Sequence, residues 1–133
     1  MDKKFNIFLL LILVGGFFYL IFLAKINNAN NVNFESKSSE STITLSLTPK
    51  KFENNKFYVD INVDTHSIDL NQFDLEKLIT LDINGDNINP ITTTKLSGHH
   101  SSGTLIFEVD VEPKNFVIIA RDFPDIPIRT FEW

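Results

Sequence analysis

Histidine is the residue type of this sequence best suited to metal chemistry, and its three copies fall in two polar segments. Residues 64–70 read DTHSIDL and residues 98–103 read GHHSSG. Neutral imidazole is a common ligand of zinc and copper, and a carboxylate often completes a four-coordinate site. The pattern therefore predicts a site for a divalent transition metal, Zn²⁺ or Cu²⁺. Its candidate ligands are the three imidazoles and the two nearest carboxylates: His66, His99, His100, Asp64 and Asp69.

The geometry of an extended chain sets conditions on this site. Adjacent residues of a strand point to opposite faces, so His99 and His100 can share one ion only if the chain leaves strand geometry there. Gly98 and Gly103 allow such a departure. The two histidine segments must also meet, and the connections of a β-sandwich cluster at its two ends. Because a metal-binding imidazole must be deprotonated, we expect binding to weaken as the pH falls through the range in which histidine titrates.

A second interpretation of the same residues needs no metal. Thr65, His66 and Ser67 would form a turn held by hydrogen bonds between side chains and backbone. His99 and His100 would then pack against the second segment or cap it. The sequence leaves both interpretations open.

The sequence does not predict an enzyme. Ser101, a histidine and an aspartate are all present, but most domains contain these residue types, and the Gly-x-Ser-x-Gly turn of many serine hydrolases is missing. The chain has no cysteine, which excludes thiol nucleophiles, thiolate zinc sites and disulfide bonds. We therefore expect no catalytic residue and no cofactor other than the metal.

Alternation of apolar and polar side chains predicts short strands between residues 42 and 133. Asn84 and Gly85 predict a hairpin turn, and a brief helical turn is compatible with residues 73–77. Six or seven strands without a long helical period indicate an all-β fold, an immunoglobulin-like antiparallel β-sandwich. For the last strand, the pattern is compatible with either face pointing inward. The strand segments are 42–48, 56–63, 78–83, 104–111, 116–120 and 128–133.

The charge of the predicted domain argues against a nucleic-acid partner. Residues 42–133 hold 8 basic and 14 acidic side chains, a formal net charge of −6. A protein that binds nucleic acid needs a basic face to displace counterions from the phosphates. Without disulfide bonds, the domain must be stabilised by its apolar core.

Residues 5–24 are uncharged and almost wholly apolar, which predicts a membrane span. As a helix rising about 1.5 Å per residue, this stretch extends roughly 30 Å, the thickness of a bilayer's hydrocarbon core. A cleaved secretory signal has a shorter apolar region and small residues at its cleavage site, so it fits less well. We therefore expect a retained transmembrane signal-anchor helix in a single-pass cell membrane protein.

Flanking charges predict the orientation of this span. Lys3 and Lys4 precede it and Lys25 follows it, so positive charge is in excess on the N-terminal side. We therefore expect residues 1–4 to form a cytoplasmic tail and the β-domain to lie outside the membrane. Residues 25–41 are rich in Asn and Ser with few large apolar groups, which predicts a flexible linker.

The two histidine segments resemble those of a group of prokaryotic membrane-anchored or secreted β-sandwich domains, which carry a Thr-His-Ser loop and a Gly-His-His loop. The likeness covers most of residues 42–133, including the closing sequence IPIRTFEW. It implies that the three histidines belong to one motif and that the chain comes from a bacterial or archaeal envelope. The group brings no established activity. Before its histidine pair, this chain has KLSG, with fewer glycines than is usual in the group.

Together these features predict a membrane-anchored extracytoplasmic binding module that holds a divalent transition metal through loop histidines. The alternative is a structural or protein-interaction β-sandwich of the cell envelope, with an envelope protein as partner and no metal site. Loss of metal in His66→Ala with the fold retained would favour the first. A metal-free domain that co-purifies with an envelope protein would favour the second.

Overall fold

The computed structural model describes residues 34–133 and, apart from them, Gly16. The predicted cytoplasmic tail, the membrane span and the first part of the linker therefore lie outside the described residues, except for Gly16. Within the described part of the chain, no helix is both long and apolar enough to cross a membrane.

Two antiparallel sheets make up the domain, and they confirm the all-β class that the alternating pattern predicts. A 3-10 helical turn at Leu70–Gln72 and a short helix, α1 (Leu75–Leu78), lie between the third and fourth strands. The strands within residues 34–133 are β1 (Lys37–Ser39), β2 (Ile43–Glu53), β3 (Lys56–Thr65), β4 (Ile79–Ile83), β5 (Asp86–Ile88), β6 (Thr92–Thr93), β7 (His100–Glu108), β8 (Val117–Arg121) and β9 (Ile128–Glu132).

The two sheets share one apolar core. The first sheet has the strand order β1-β2-β3-β7-β6 and the second has the order β5-β4-β8-β9. Alternate side chains of each strand point inward, and the inward ones form a single buried cluster, so the domain is sandwich-like. Fully buried members include Phe57 and Phe107 from the first sheet and Leu81 and Ile118 from the second.

The second strand is longer than its sequence pattern predicts, because Pro49 does not end it. β2 continues to Glu53, and its pairing with β3 shifts between Pro49 and Lys51, where an extra residue forms a bulge. The ladder between β1 and β2 stops at Leu47. Pro49 therefore lies beyond that ladder, at the outer edge of the sheet, where a missing N–H donor is tolerated.

Residues 34–41, which the sequence pattern assigns to the linker, belong to the sandwich, and we call them the N-terminal strap. β1 lies in the strap and pairs with β2. The ring of Phe34 packs edge-on against Phe116, with 5.3 Å between centroids, and the indole Nε1 of Trp133 donates to the carbonyl of Glu35 at 2.8 Å. The folded domain therefore begins before residue 42.

The last strand turns Arg129 and Phe131 inward and leaves Ile128 exposed. The guanidinium of Arg129 is buried, and its Nη1 atom donates to two carbonyl oxygens, those of Ser39 at 2.9 Å and of Ile43 at 2.7 Å. These bonds join β9 of the second sheet to the strap and β2 of the first.

The turns follow the sequence closely. Asn84 and Gly85 both have positive φ angles, 55° and 95°, and they connect β4 to β5 as the predicted hairpin. The helical turn expected over residues 73–77 is α1, one to two residues further along. Asp74 caps it by accepting from the backbone N–H of Glu76.

Candidate functional site

Asp64 and His100 stand directly opposite each other at the end of the ladder between β3 and β7. Opposed residues on one face of an antiparallel pair have neighbouring side chains. The His100 Nδ1 atom lies 2.8 Å from the Asp64 Oδ1 atom. An ionised carboxylate can only accept, so the imidazole Nδ1 donates this hydrogen bond. The Nε2 atom of neutral His100 therefore keeps its lone pair, which is the form that binds metal.

His66 is the second imidazole of this site. It follows directly after β3, and its ring centroid lies 5.8 Å from that of His100, with the two planes 74° apart. With metal–nitrogen bonds of about 2.0–2.1 Å, two imidazoles that share a tetrahedral ion have centroids roughly 5 Å apart. The observed centroid distance is therefore close to the one that a shared ion requires. We call His66, His100 and Asp64 the histidine pair site.

A hydrogen-bonded turn positions His66. Thr65, which is buried, donates from its hydroxyl to the carbonyl of Thr42 at 2.8 Å, and its backbone N–H donates to the carbonyl of His99 at 2.9 Å. The backbone N–H of Ser67 lies 3.4 Å from the same Thr65 hydroxyl. The turn that needs no metal is thus present, and it holds His66 beside His100 at the same time.

His99 makes a different contact from that of His100. Its Nδ1 atom lies 2.9 Å from the carbonyl oxygen of Ile68, which can only accept, so the imidazole donates. Gly98, with a φ of 67°, places its carbonyl where it accepts from the N–H of Leu70 at 2.9 Å. His99 and Gly98 therefore fasten the second histidine segment to the first. The two segments meet, as the metal hypothesis requires.

The two glycines of the second histidine segment meet different structural requirements. Gly98 adopts the left-handed conformation that the departure from strand geometry requires. Gly103 lies within β7, and a Cβ atom there would come 2.3 Å from the Cβ of Thr94. Gly103 therefore permits close approach of a neighbouring chain segment.

Asp69 is engaged as a helix cap. Its Oδ1 atom accepts from the backbone N–H of Asn71 at 3.0 Å and from the side-chain amide of the same residue at 2.6 Å. This places its carboxylate at the start of the Leu70–Gln72 turn. Of the five candidate ligands, the structure thus groups Asp64, His66 and His100.

The histidine pair site is open to solvent. The side chains of His100 and Asp64 are 65% and 51% exposed, and His66 is exposed as well. Across residues 34–133, no group of three or more His, Asp or Glu side chains is arranged to hold a metal ion. The site offers two imidazole ligands, with the Asp64 carboxylate on the Nδ1 side of one of them.

Ser101, the serine considered for a hydrolytic triad, is hydrogen-bonded to the backbone. The Ser101 hydroxyl accepts from the N–H of Ser97 at 3.2 Å, within the second histidine segment. His100, its neighbour in sequence, directs Nδ1 to Asp64.

Comparison of the chain with protein-family models, with curated proteins and with solved structures finds no match in any of the three.

Proposed function

We propose that this chain is a membrane-anchored extracytoplasmic binding module with an immunoglobulin-like β-sandwich, and that it binds a divalent transition metal ion, Zn²⁺ or Cu²⁺. The ion is held by His66 and His100, with Asp64 behind His100. The predicted signal-anchor at residues 5–24 attaches the module to the cell membrane. It acts as a binding protein and performs no catalysis.

One contact carries the proposal: the hydrogen bond between His100 Nδ1 and Asp64 Oδ1. Metal-binding histidines almost always donate their second ring N–H to a carboxylate, a carbonyl or a water, and this bond fixes the tautomer and makes the ligand more basic. His66, 5.8 Å away between ring centroids, supplies the second nitrogen. The arrangement suits ions that favour imidazole, and zinc and copper are the common ones.

The position of the site in the domain supports a role in binding. The strap begins with Phe34, which packs at the end of the sandwich that holds Phe57 and Phe116. Along β3, Phe57 and Asp64 are seven steps apart, about 23 Å at roughly 3.3 Å per step. The histidine pair site therefore lies at the end opposite to the one where the chain enters the domain.

The first experiment measures the zinc and copper content of the full chain, purified in detergent without a His tag or chelator, and then the affinity of the emptied protein by calorimetry. Replacing His66 or His100 by Asn removes Nε2 while keeping an amide near the position of Nδ1. We expect both variants to lose metal binding. His99→Asn is the matched control, because its amide can still donate to Ile68, and it should keep binding.

Circular dichroism and thermal melting of the same variants show that the fold is retained. A wild-type chain that binds neither ion contradicts the proposal. If such a metal-free chain co-purifies with an envelope protein, the alternative of a structural or protein-interaction sandwich takes its place.

A further inference from the structure

We infer that Zn²⁺ joins two copies of this chain, with His66 and His100 of each copy completing one four-nitrogen site. The inference rests on the proposed metal-binding function and names the second partner of the same ion. The bridge is reversible and forms only when zinc is present.

The number of ligands at the histidine pair site is too small for a complete zinc site. Structural zinc sites are almost always four-coordinate and tetrahedral. The histidine pair supplies two nitrogens, and the described stretch, residues 34–133, contains no cluster of three or more metal-binding side chains. A two-fold axis through the ion would bring a second, identical pair to it, because a symmetric dimer uses the same patch on both subunits.

The charges of the site match such a complex. Four neutral imidazoles leave the 2+ charge of zinc uncompensated. In the dimer, each copy brings Asp64 to the outer side of its own His100, 2.8 Å from Nδ1. The two carboxylates together offset the charge of the ion without being ligands.

The same charges oppose association when zinc is missing. Residues 42–133 carry a formal net charge of −6, so two domains repel each other. The surface around the pair is polar and exposed, including Ser67, Gly98 and His99. Neither histidine segment contains a large apolar side chain that is fully exposed. We therefore expect a metal-free monomer and a zinc-dependent dimer.

Accessibility allows the approach of a second copy. The His100 side chain is 65% exposed, and the pair lies at the end of the sandwich away from the entry of the strap.

Native mass spectrometry of the full chain, released from a mild detergent, tests the bridge because it gives subunit number and zinc number together. The probe is ZnCl₂ added stepwise to protein stripped with EDTA. We expect monomer to convert into a dimer with one zinc per two chains, and EDTA to reverse the change. His66→Asn and His100→Asn should remain monomers, whereas His99→Asn should dimerise like the wild type.

A second measurement tests whether the dimer forms through the N-terminal segment instead of the histidine pair site. Residues 34–133 contain one buried apolar core, so a fragment of residues 31–133 can be examined by ultracentrifugation without detergent. Its sedimentation should show the same zinc-dependent dimer.

Three results would contradict the zinc bridge between two copies. Monomers that carry one zinc each overturn the bridge and leave the proposed metal binding intact. Chains that bind no zinc overturn both. A dimer that forms without zinc, or that survives His66→Asn and His100→Asn, overturns the bridge.

Discussion

His100 directs its Nδ1 atom at the Oδ1 atom of Asp64, 2.8 Å away, across the last residue pair between β3 and β7. The strand register thus sets the tautomer of the neutral ring, since the carboxylate accepts and Nδ1 must donate. In that tautomer, the Nε2 atom on the outer side of the ring carries a free lone pair. His66 stands next to it, with 5.8 Å between the ring centroids.

Asp64→Asn should weaken zinc binding by about 10- to 100-fold, which is the usual effect of removing the carboxylate behind a metal-binding histidine. An asparagine has nearly the same shape, but it lacks the negative charge that makes the imidazole more basic and offsets the charge of the ion. Isothermal titration with ZnCl₂ measures the change.

Asp69→Asn is the control for this measurement. Its carbonyl oxygen can still accept from the N–H of Asn71, so the cap of the Leu70–Gln72 turn is retained and zinc affinity should stay at the wild-type value. Equal effects of the two substitutions would show that Asp64 acts only through the net charge of the domain.

Zinc affinity should fall as the pH is lowered from 7.5 to 5.5. Metal and protons compete for the imidazole nitrogens, and the bound state needs neutral imidazoles, so acid favours the free state. Each histidine that must lose a proton adds up to about tenfold per pH unit once it is mostly protonated in the free protein. Competition with a zinc-binding dye measures the affinity at each pH.

Thermal melting without zinc over the same pH range is the control, because an unfolding domain would also release metal. If affinity stayed constant while the fold persisted, imidazole nitrogens would not be the ligands.

Much of the sandwich follows from the spacing of apolar residues alone. Phe57, Val59, Ile61 and Val63 alternate with polar neighbours, and all four are buried in β3. The strap does not follow from such a pattern. Its strand reads KSS, and it forms because the edge of β2 offers backbone partners, which depends on the assembled sheet.

The outward direction of His100 could have been predicted by extending one alternation. Leu105 and Phe107 point inward in β7, so even-numbered positions of that strand point outward, and His100 is among them. Asp64 points outward from β3 by the same rule. The polar, glycine-containing residues before Thr104 do not predict a strand, because they lack the alternating apolar side chains that are typical of strands. Register and loop contacts, such as His99 to Ile68, are properties of the folded chain only.

Arg129 is a structural residue that hydropathy could not place. It is 3% exposed, and its guanidinium also donates to the Ser41 hydroxyl at 2.7 Å. Burial lowers the pKa of Arg129 below its usual value, and the nearby Asp125 carboxylate opposes that shift. The two terminal nitrogens thus exchange water for backbone carbonyls and one hydroxyl, whereas the buried Nε atom has no partner among the described residues.

Arg129→Met should lower the free energy of unfolding by about 2–4 kcal/mol, because it leaves carbonyl oxygens without their donor. Urea denaturation of the fragment 31–133 measures this. Arg121→Met in β8 is the matched control, since Arg121 is only half-buried, and its effect should stay within about 0.5 kcal/mol. Equal losses for both substitutions would mean that the bonds of Arg129 contribute nothing specific.

Removing the N-terminal strap should destabilise the domain. A fragment that begins at residue 42 loses the β1 ladder, the Phe34 ring packed on Phe116 and the bond from Trp133 to Glu35. We expect it to unfold at lower urea concentration than the fragment 31–133, with a loss of about 2–4 kcal/mol from apolar burial and hydrogen bonding together.

The strap and Arg129 should also be energetically coupled. Two of the partners of Arg129, the Ser39 carbonyl and the Ser41 hydroxyl, lie in the strap, while the Ile43 carbonyl lies in β2. Arg129→Met should therefore cost less in the fragment 42–133 than in the fragment 31–133, by about 1 kcal/mol or more. Urea denaturation of the four proteins of this cycle gives the coupling energy. Additive losses would show that the strap is held by β1 and its aromatic contacts alone, without the guanidinium.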